Sequence, residues 1–119
     1  MKDRAIQTKS FVFAVRIVKL YKHLSEKKRE FVLSKQLLRS GTAIGALVRE
    51  AEQAESKPDF VHKLAIALKE ANETEYWVLL LQETGYMTTA EAEPILADNR
   101  AILKLLTSII NSTKRGVAH

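Results

Sequence analysis

Arg16, Lys19, Lys22 and His23 recur on one side of a helix-length segment, and Lys27, Lys28 and Arg29 follow almost at once. Cations spaced this way suit contact with phosphate. The chain carries a net charge of +5, unevenly spread. Residues 1–29 hold nine Lys or Arg against Asp3 and Glu26, so the remaining residues are net acidic. The same pattern also suits a solvated face that keeps the protein soluble, or a dock for an acidic protein. No aromatic residue is expected to stand exposed among these charges. Base stacking and sequence readout are therefore not expected, and any nucleic acid would be followed through its backbone phosphates and shape. The candidate contact residues are Arg16, Lys19, Lys22, Lys27, Lys28 and Arg29.

Other chemistry is thin. There are three histidines and no cysteine, which excludes thiolate metal sites, disulfides and cysteine nucleophiles. Di-iron bundles need Glu-x-x-His on two helices plus two further carboxylates. This chain offers only Asp59-x-x-His62, while His23 and His119 have no such partner. No nucleophile elbow accompanies any serine. No catalytic residue, metal or cofactor is expected. Glu70, Glu73 and Glu75, with Glu50, Glu52 and Glu55, read as solvated faces. Alternatively, Glu75 or Glu50 pairs with Arg39 or Arg49 of a neighbouring helix or subunit. Tyr76 and Trp77 are adjacent and so point about 100° apart on a helix. One should enter the core and the other a subunit contact, where such rings act as anchors.

The elements that position these residues are helical throughout. The periodicity predicts an all-α, up-down-up-down four-helix bundle in one domain, with helices over about 8–24, 26–56, 58–84 and 89–112. Ten of the fourteen residues from Phe11 to Leu24 are apolar or Tyr. The polar four fill an arc of about 120°. Such a wide apolar face implies burial on two sides, against the bundle and against another subunit; Phe11 and Phe13 are the expected interface residues. Ser25 is the expected cap of the second helix. Ser56 should cap the third, with Pro58 in its first turn and Asp59 at its third position. An Asp59–Lys63 pair is expected beyond it. Phe60, Leu64, Ala67, Ala71, Glu75, Val78 and Gln82 mark its inner face. Gly85 suits its end, and Thr88 or Thr89 opens the fourth helix. Ile95, Asn99, Ile102, Leu106 and Ile109 form that helix's seam, and Pro94 marks its regular start or a kink.

Ser40, Gly41, Ala43, Gly45 and Ala46 surround Ile44 mid-helix. A phosphate loop would follow a strand and end in Gly-Lys-Ser/Thr, and neither is present. A membrane dimer motif fails because Arg39 and Arg49 bracket only nine residues. Close helix packing at Ser40, Gly41, Ile44 and Gly45 remains, with dispersion contacts offsetting the cost of glycine in a helix.

The run from Ser34 to Tyr86 resembles the bacterial four-helix bundle family known as 23S rRNA intervening-sequence proteins. Three segments carry the resemblance. The first is Gln36, Leu37, Arg39, Ser40, Ala43, Ile44 and Ala46. The second is Lys57-Pro58-Asp59-Phe60, and the third runs from Ala67 to Trp77. The resemblance implies a left-handed bundle that assembles as a homo-oligomeric ring, commonly a pentamer. A related group, the accessory protein of diversity-generating retroelements, works with a reverse transcriptase and nucleic acid. The chain departs from the family pattern where Ala43 and Leu47 replace a Ser and an Asn. The resulting expectation is a non-enzymatic accessory protein that binds RNA or DNA through its basic face, with five weak patches acting together by avidity. The alternative is an assembly module that docks an unidentified protein. The polar N-terminus lacks a signal peptide's apolar core and cleavage site, no segment is long enough to span a membrane, and a cytoplasmic location is expected.

Overall fold

Short-range chemistry sets the ends of the helices. Ser56 is extended, and its hydroxyl accepts the Asp59 N–H at 3.1 Å. Pro58 follows in the first turn, where no N–H is needed. Asp59 in turn accepts the Glu55 N–H at 3.2 Å. At the other end Gly85 takes φ +86°. That left-handed turn lets the Tyr86 N–H reach the Leu81 carbonyl at 2.9 Å and the Gly85 N–H reach Gln82 at 3.1 Å, the paired closure that glycine makes at low cost. Thr88 opens the next helix with a reciprocal cap. Its hydroxyl accepts the Glu91 N–H at 3.1 Å, and its own N–H donates to the Glu91 carboxylate at 2.8 Å.

The computed structural model describes residues 4–116. It contains α1 (Arg4–Glu26), α2 (Leu33–Ala51), α3 (Lys57–Glu83) and α4 (Thr89–Lys114), with no strand among the described residues. The connecting links, residues 27–32, 52–56 and 84–88, reach at most about 20 Å, too short to run back along a helix. At ~1.5 Å per residue α3 is roughly 40 Å long, and the whole molecule extends 46 × 22 × 19 Å. Successive helices must therefore run antiparallel along the long axis. α2 packs closely on α1 and α3, and α3 on α4, while α1 meets α4 along a sparser seam. Among the described residues no helix is long and apolar enough to cross a membrane.

Several boundaries differ from expectation, and α1 starts at Arg4, four residues before the predicted start. Ser25 does not cap α2. It lies in the last turns of α1, buried, with its hydroxyl donating to the Tyr21 carbonyl at 2.8 Å. Leu24 beside it is fully buried, so the apolar stripe of α1 carries the helix past the expected stop. α2 starts only at Leu33 and ends at Ala51, five residues earlier than predicted. There the N–H groups of Glu52 and Gln53 bond three residues back, a tightening turn that lets Ser56 become extended. Pro94 lies inside α4 and does not mark its start.

The core is apolar with a few polar groups, most of them hydrogen-bonded, while Asn99 Oδ1 is buried without a hydrogen-bond partner. On α3 the buried residues are Leu64, Ala67, Ala71, Thr74, Val78 and Leu81, a 3-4-3-4-3 seam. Thr74 and Leu81 take the places predicted for Glu75 and Gln82, which are only half-buried. Thr74 fits because its hydroxyl bonds the Glu70 carbonyl at 2.8 Å and Ser40 Oγ at 2.9 Å. Asn99 is buried within the α4 seam, and its amide donates to the Ala71 carbonyl at 2.8 Å. A Cβ on Gly41 would sit 2.8 Å from Ile17 Cγ1, and one on Gly45 would sit 3.2 Å from the Ser10 carbonyl oxygen. The small residues let α1 lie tight against α2 around buried Ser40 and Ile44, as their spacing predicted.

Phe13 is a correction. It was expected at a subunit contact, but it is 1% exposed inside the bundle's own core. Phe11 is 63% exposed, and Val12, Val15 and Val18 also face outward. Both faces of α1 are thus apolar, one filled by this chain and one open.

Candidate functional site

The basic residues gather at the C-terminal half of α1 and in the link that follows it, residues 27–32. Cations suit this position because the helix ends in carbonyls with no intrahelical partner. Arg16 is the least available of the six candidates: its guanidinium is ion-paired with Asp98 of α4. Lys19, Lys22, Lys27, Lys28 and Arg29 are exposed. Among the described residues none of these five makes an ion pair within 4 Å. His23 Nε2 lies 3.8 Å from Glu91. The Glu91 carboxyl is held below its usual range, first by the Thr88 backbone N–H and in smaller part by the nearby charges of Lys28 and His23.

The acidic residues are engaged differently. Arg39 Nη2 stands 2.6 Å from Glu73 and 3.4 Å from Glu70. Glu73 also accepts the Trp77 indole N–H at 2.9 Å. That hydrogen bond, followed by Arg39, lowers the Glu73 pKa against the opposing effect of burial. Glu75 pairs with Arg100 at 3.4 Å and Glu50 with Lys63 at 3.2 Å. Arg39 thus takes Glu70 and Glu73 in place of Glu75 or Glu50, and Lys63 reaches across to α2 in place of pairing with Asp59. Much of the acidic patch on α3 is neutralised within the chain.

The link between α1 and α2 is ordered by one buried carboxylate. Glu30 accepts N–H bonds from Val32 at 3.1 Å, Leu33 at 2.9 Å and Ser34 at 2.6 Å. Burial pushes its pKa up, but these backbone donors together outweigh it and hold the carboxyl below its ordinary value. Arg29 just before it has φ +58°, a left-handed conformation that is costly for a side-chain-bearing residue. Phe31 and Val32 are 46% and 71% exposed. The Arg29 guanidinium lies over the Phe31 ring, 5.3 Å from its centroid. An exposed aromatic therefore does stand among the cations, contrary to expectation. Phe31 was missed because this segment was read as part of a helix over 26–56. The available signal is Phe31-Val32 directly after five charged residues, Glu26 to Glu30.

Tyr76 and Trp77, expected to diverge, touch edge to face with centroids 5.0 Å apart. Tyr76 is exposed beside Leu79, while Trp77 packs partly against the core. Leu47 is partly buried against the core. Asp59 is consumed by the α3 cap. His62 is exposed in an open cleft of about 450 Å³ with Lys57, Pro58, Val61 and Lys114. His119 lies outside the described residues. Phe11 lines an open groove of about 550 Å³ between α1 and α2, with Gln7, Ser10, Thr42, Gly45 and Arg49.

A crystal structure of a protein of unknown function from the S23 ribosomal protein family of Bacteroides thetaiotaomicron VPI-5482 is 60% identical to this chain, with a TM-score of 0.92. The match covers 93% of this chain and 99% of that one. No curated protein matches significantly. The family model described as 23S rRNA-intervening sequence protein matches residues 2–108. Through that match, and through the four-helix architecture that its sequence encodes, the chain belongs to the 23S rRNA-intervening sequence protein family.

Proposed function

We propose that this chain is a non-enzymatic, oligomeric accessory protein that binds RNA or DNA through phosphate contacts. The observation that carries this reading is the set of exposed, unpaired cations Lys19, Lys22, Lys27, Lys28 and Arg29 at one end of the bundle, while acidic side chains of α3 pair within the chain. Free ammonium and guanidinium groups release phosphate counterions on contact, whereas paired ones have little left to offer. The protein acts in the cytoplasm as a left-handed ring of copies, most simply a pentamer. The open apolar face of Phe11, Val12, Val15 and Val18 serves the contact between copies.

That same face favours a second reading, an adaptor that docks a different protein without nucleic acid. Charge separates the two. Fluorescence anisotropy with labelled structured RNA and duplex DNA, from about 50 to 300 mM salt, should show log K falling linearly with log salt at roughly 0.9 per phosphate contacted. Lys19→Glu with Lys22→Glu should abolish binding and leave the oligomer intact by light scattering. Retained binding in that variant would remove these residues from the interface. No binding by the parent protein at low salt would leave the adaptor reading.

A further inference from the structure

The link over residues 27–32 combines features that a solvated charge cluster does not need. Phe31 is outside the core cluster and 46% exposed. Three cations precede it in sequence: Lys27, Lys28 and Arg29. Its backbone is not loose. The Lys27 and Lys28 N–H groups bond the His23 carbonyl at 2.9 and 3.3 Å, and the Glu30 N–H bonds the Leu24 carbonyl at 2.9 Å. The Glu30 carboxylate holds the N–H groups of Val32, Leu33 and Ser34. The ring is therefore presented outward from a fixed backbone, beside cations, with Arg29 over it. An aromatic ring next to free cations matches one ligand chemistry closely: a planar base attached to a phosphate.

We infer that Phe31 is a stacking platform for an unpaired base, flanked by Lys27, Lys28 and Arg29 as phosphate contacts, so that the ligand is single-stranded RNA or DNA. A duplex hides its base faces in its own stack and offers only phosphates, sugars and groove edges. A single strand offers both parts that this link can hold. The backbone carries the charge, and one base covers the ring face opposite the Arg29 guanidinium. Because stacking needs only a π-face, the site selects for unpaired structure and not for sequence. This inference rests on the nucleic-acid reading above and narrows it to strandedness.

The test uses the full chain and four labelled probes: a 15-mer RNA without secondary structure, the same RNA as a duplex, and the single-stranded and duplex DNA of the same sequence. Binding is measured by anisotropy for the parent, F31A, F31L, F31Y and a K27E/K28E double variant. Circular dichroism and thermal midpoints should match the parent, since Phe31 is not part of the core. F31A and F31L should lose roughly tenfold in single-strand affinity. F31Y should keep it, duplex binding should not change with residue 31, and salt slopes should stay parallel. K27E/K28E should weaken every probe. Single-stranded RNA and DNA binding alike means that the base and phosphate suffice, and a preference for RNA adds a 2′-hydroxyl contact. If F31A or F31L binds single strands as the parent does while K27E/K28E fails, stacking is overturned and the phosphate reading survives. If the parent binds no probe at about 50 mM salt, both readings fall together. Binding of the parent, but not of F31A, to vesicles of anionic lipid in the absence of RNA binding would replace this inference with a membrane-inserting link.

Discussion

Two links lie close together in this molecule and solve the same problem in different ways. Residues 84–88 end α3 and open α4, while residues 27–32 end α1 and open α2. Their proximity shows in the His23–Glu91 approach of 3.8 Å. The first link uses Gly85 for its left-handed residue and an exposed Thr88–Glu91 box for its cap. The second uses Arg29 for its left-handed residue and the buried carboxylate of Glu30 for its cap. The first arrangement is the low-cost one. The second holds an arginine where glycine would be easier and leaves Phe31 and Val32 in water. Stability alone accounts for the first link. The second holds a side-chain-bearing residue in a costly conformation and leaves two large apolar side chains exposed, the combination on which the proposed stacking site rests.

Substitutions can break or sharpen this contrast. The largest effect is expected at Glu30. Removing a buried carboxylate that accepts three N–H bonds leaves those donors unsatisfied, so Glu30→Ala should destabilise the fold by about 2 kcal/mol in urea unfolding. Thr88→Ala, at the exposed cap, should cost about 1 kcal/mol. Equal costs would mean that the two caps are not different in kind. The Glu30 pKa is lowered in the fold from its ordinary 4.5. Its charged form therefore contributes stability fully above that value and loses it as the pH falls through the folded pKa. Thermal midpoints of Glu30→Gln should accordingly fall less between neutral pH and pH ~3 than those of the parent.

The left-handed residues should respond with opposite signs. Gly85→Ala forces a Cβ into φ +86° and should cost about 1 kcal/mol. Arg29→Gly relieves the same conformation but gives up the stacking on Phe31, so it should gain about 0.5 kcal/mol while weakening nucleic-acid binding. An Arg29→Gly variant that is less stable than the parent would show that the link is built around that side chain for folding. The smallest stability effect belongs to Lys27→Ala with Lys28→Ala, within about 0.5 kcal/mol. Its consequence should appear in the salt dependence of binding, whose slope falls by roughly one unit for each phosphate the variant no longer touches.

The contrast between the links also marks what was readable in advance. Ser56, Asp59, Gly85 and Thr88 act through hydrogen bonds to residues three or four positions away, and Pro58 acts through the N–H it lacks, so their types and spacing suffice to place them. The α1–α2 link has no glycine, proline or capping serine at its true ends, and it read as helix. Its capping group is a glutamate, which only burial and geometry distinguish from a surface charge. The α3 seam was misassigned at Thr74 and Leu81 for a related reason. A helix that is apolar over much of its surface can turn either flank inward, and contacts from α2 and α4 decide which.

The sequence by itself determined the four helices, most of their ends, the close approach at Gly41 and Gly45, and the concentration of positive charge in the first 29 residues. These follow from local hydrogen bonding, side-chain volume and composition, all of which are properties of neighbouring residues. Tertiary structure alone decided that Phe13 fills the core while Phe11 stays open, that Arg16 is tied to Asp98 while Lys19 and Lys22 stay free, and that Phe31 stands in water beside Arg29. Each of these depends on which helix packs against which face. Burial and charge pairing are sums over contacts between segments far apart in the chain, so no window of sequence contains them.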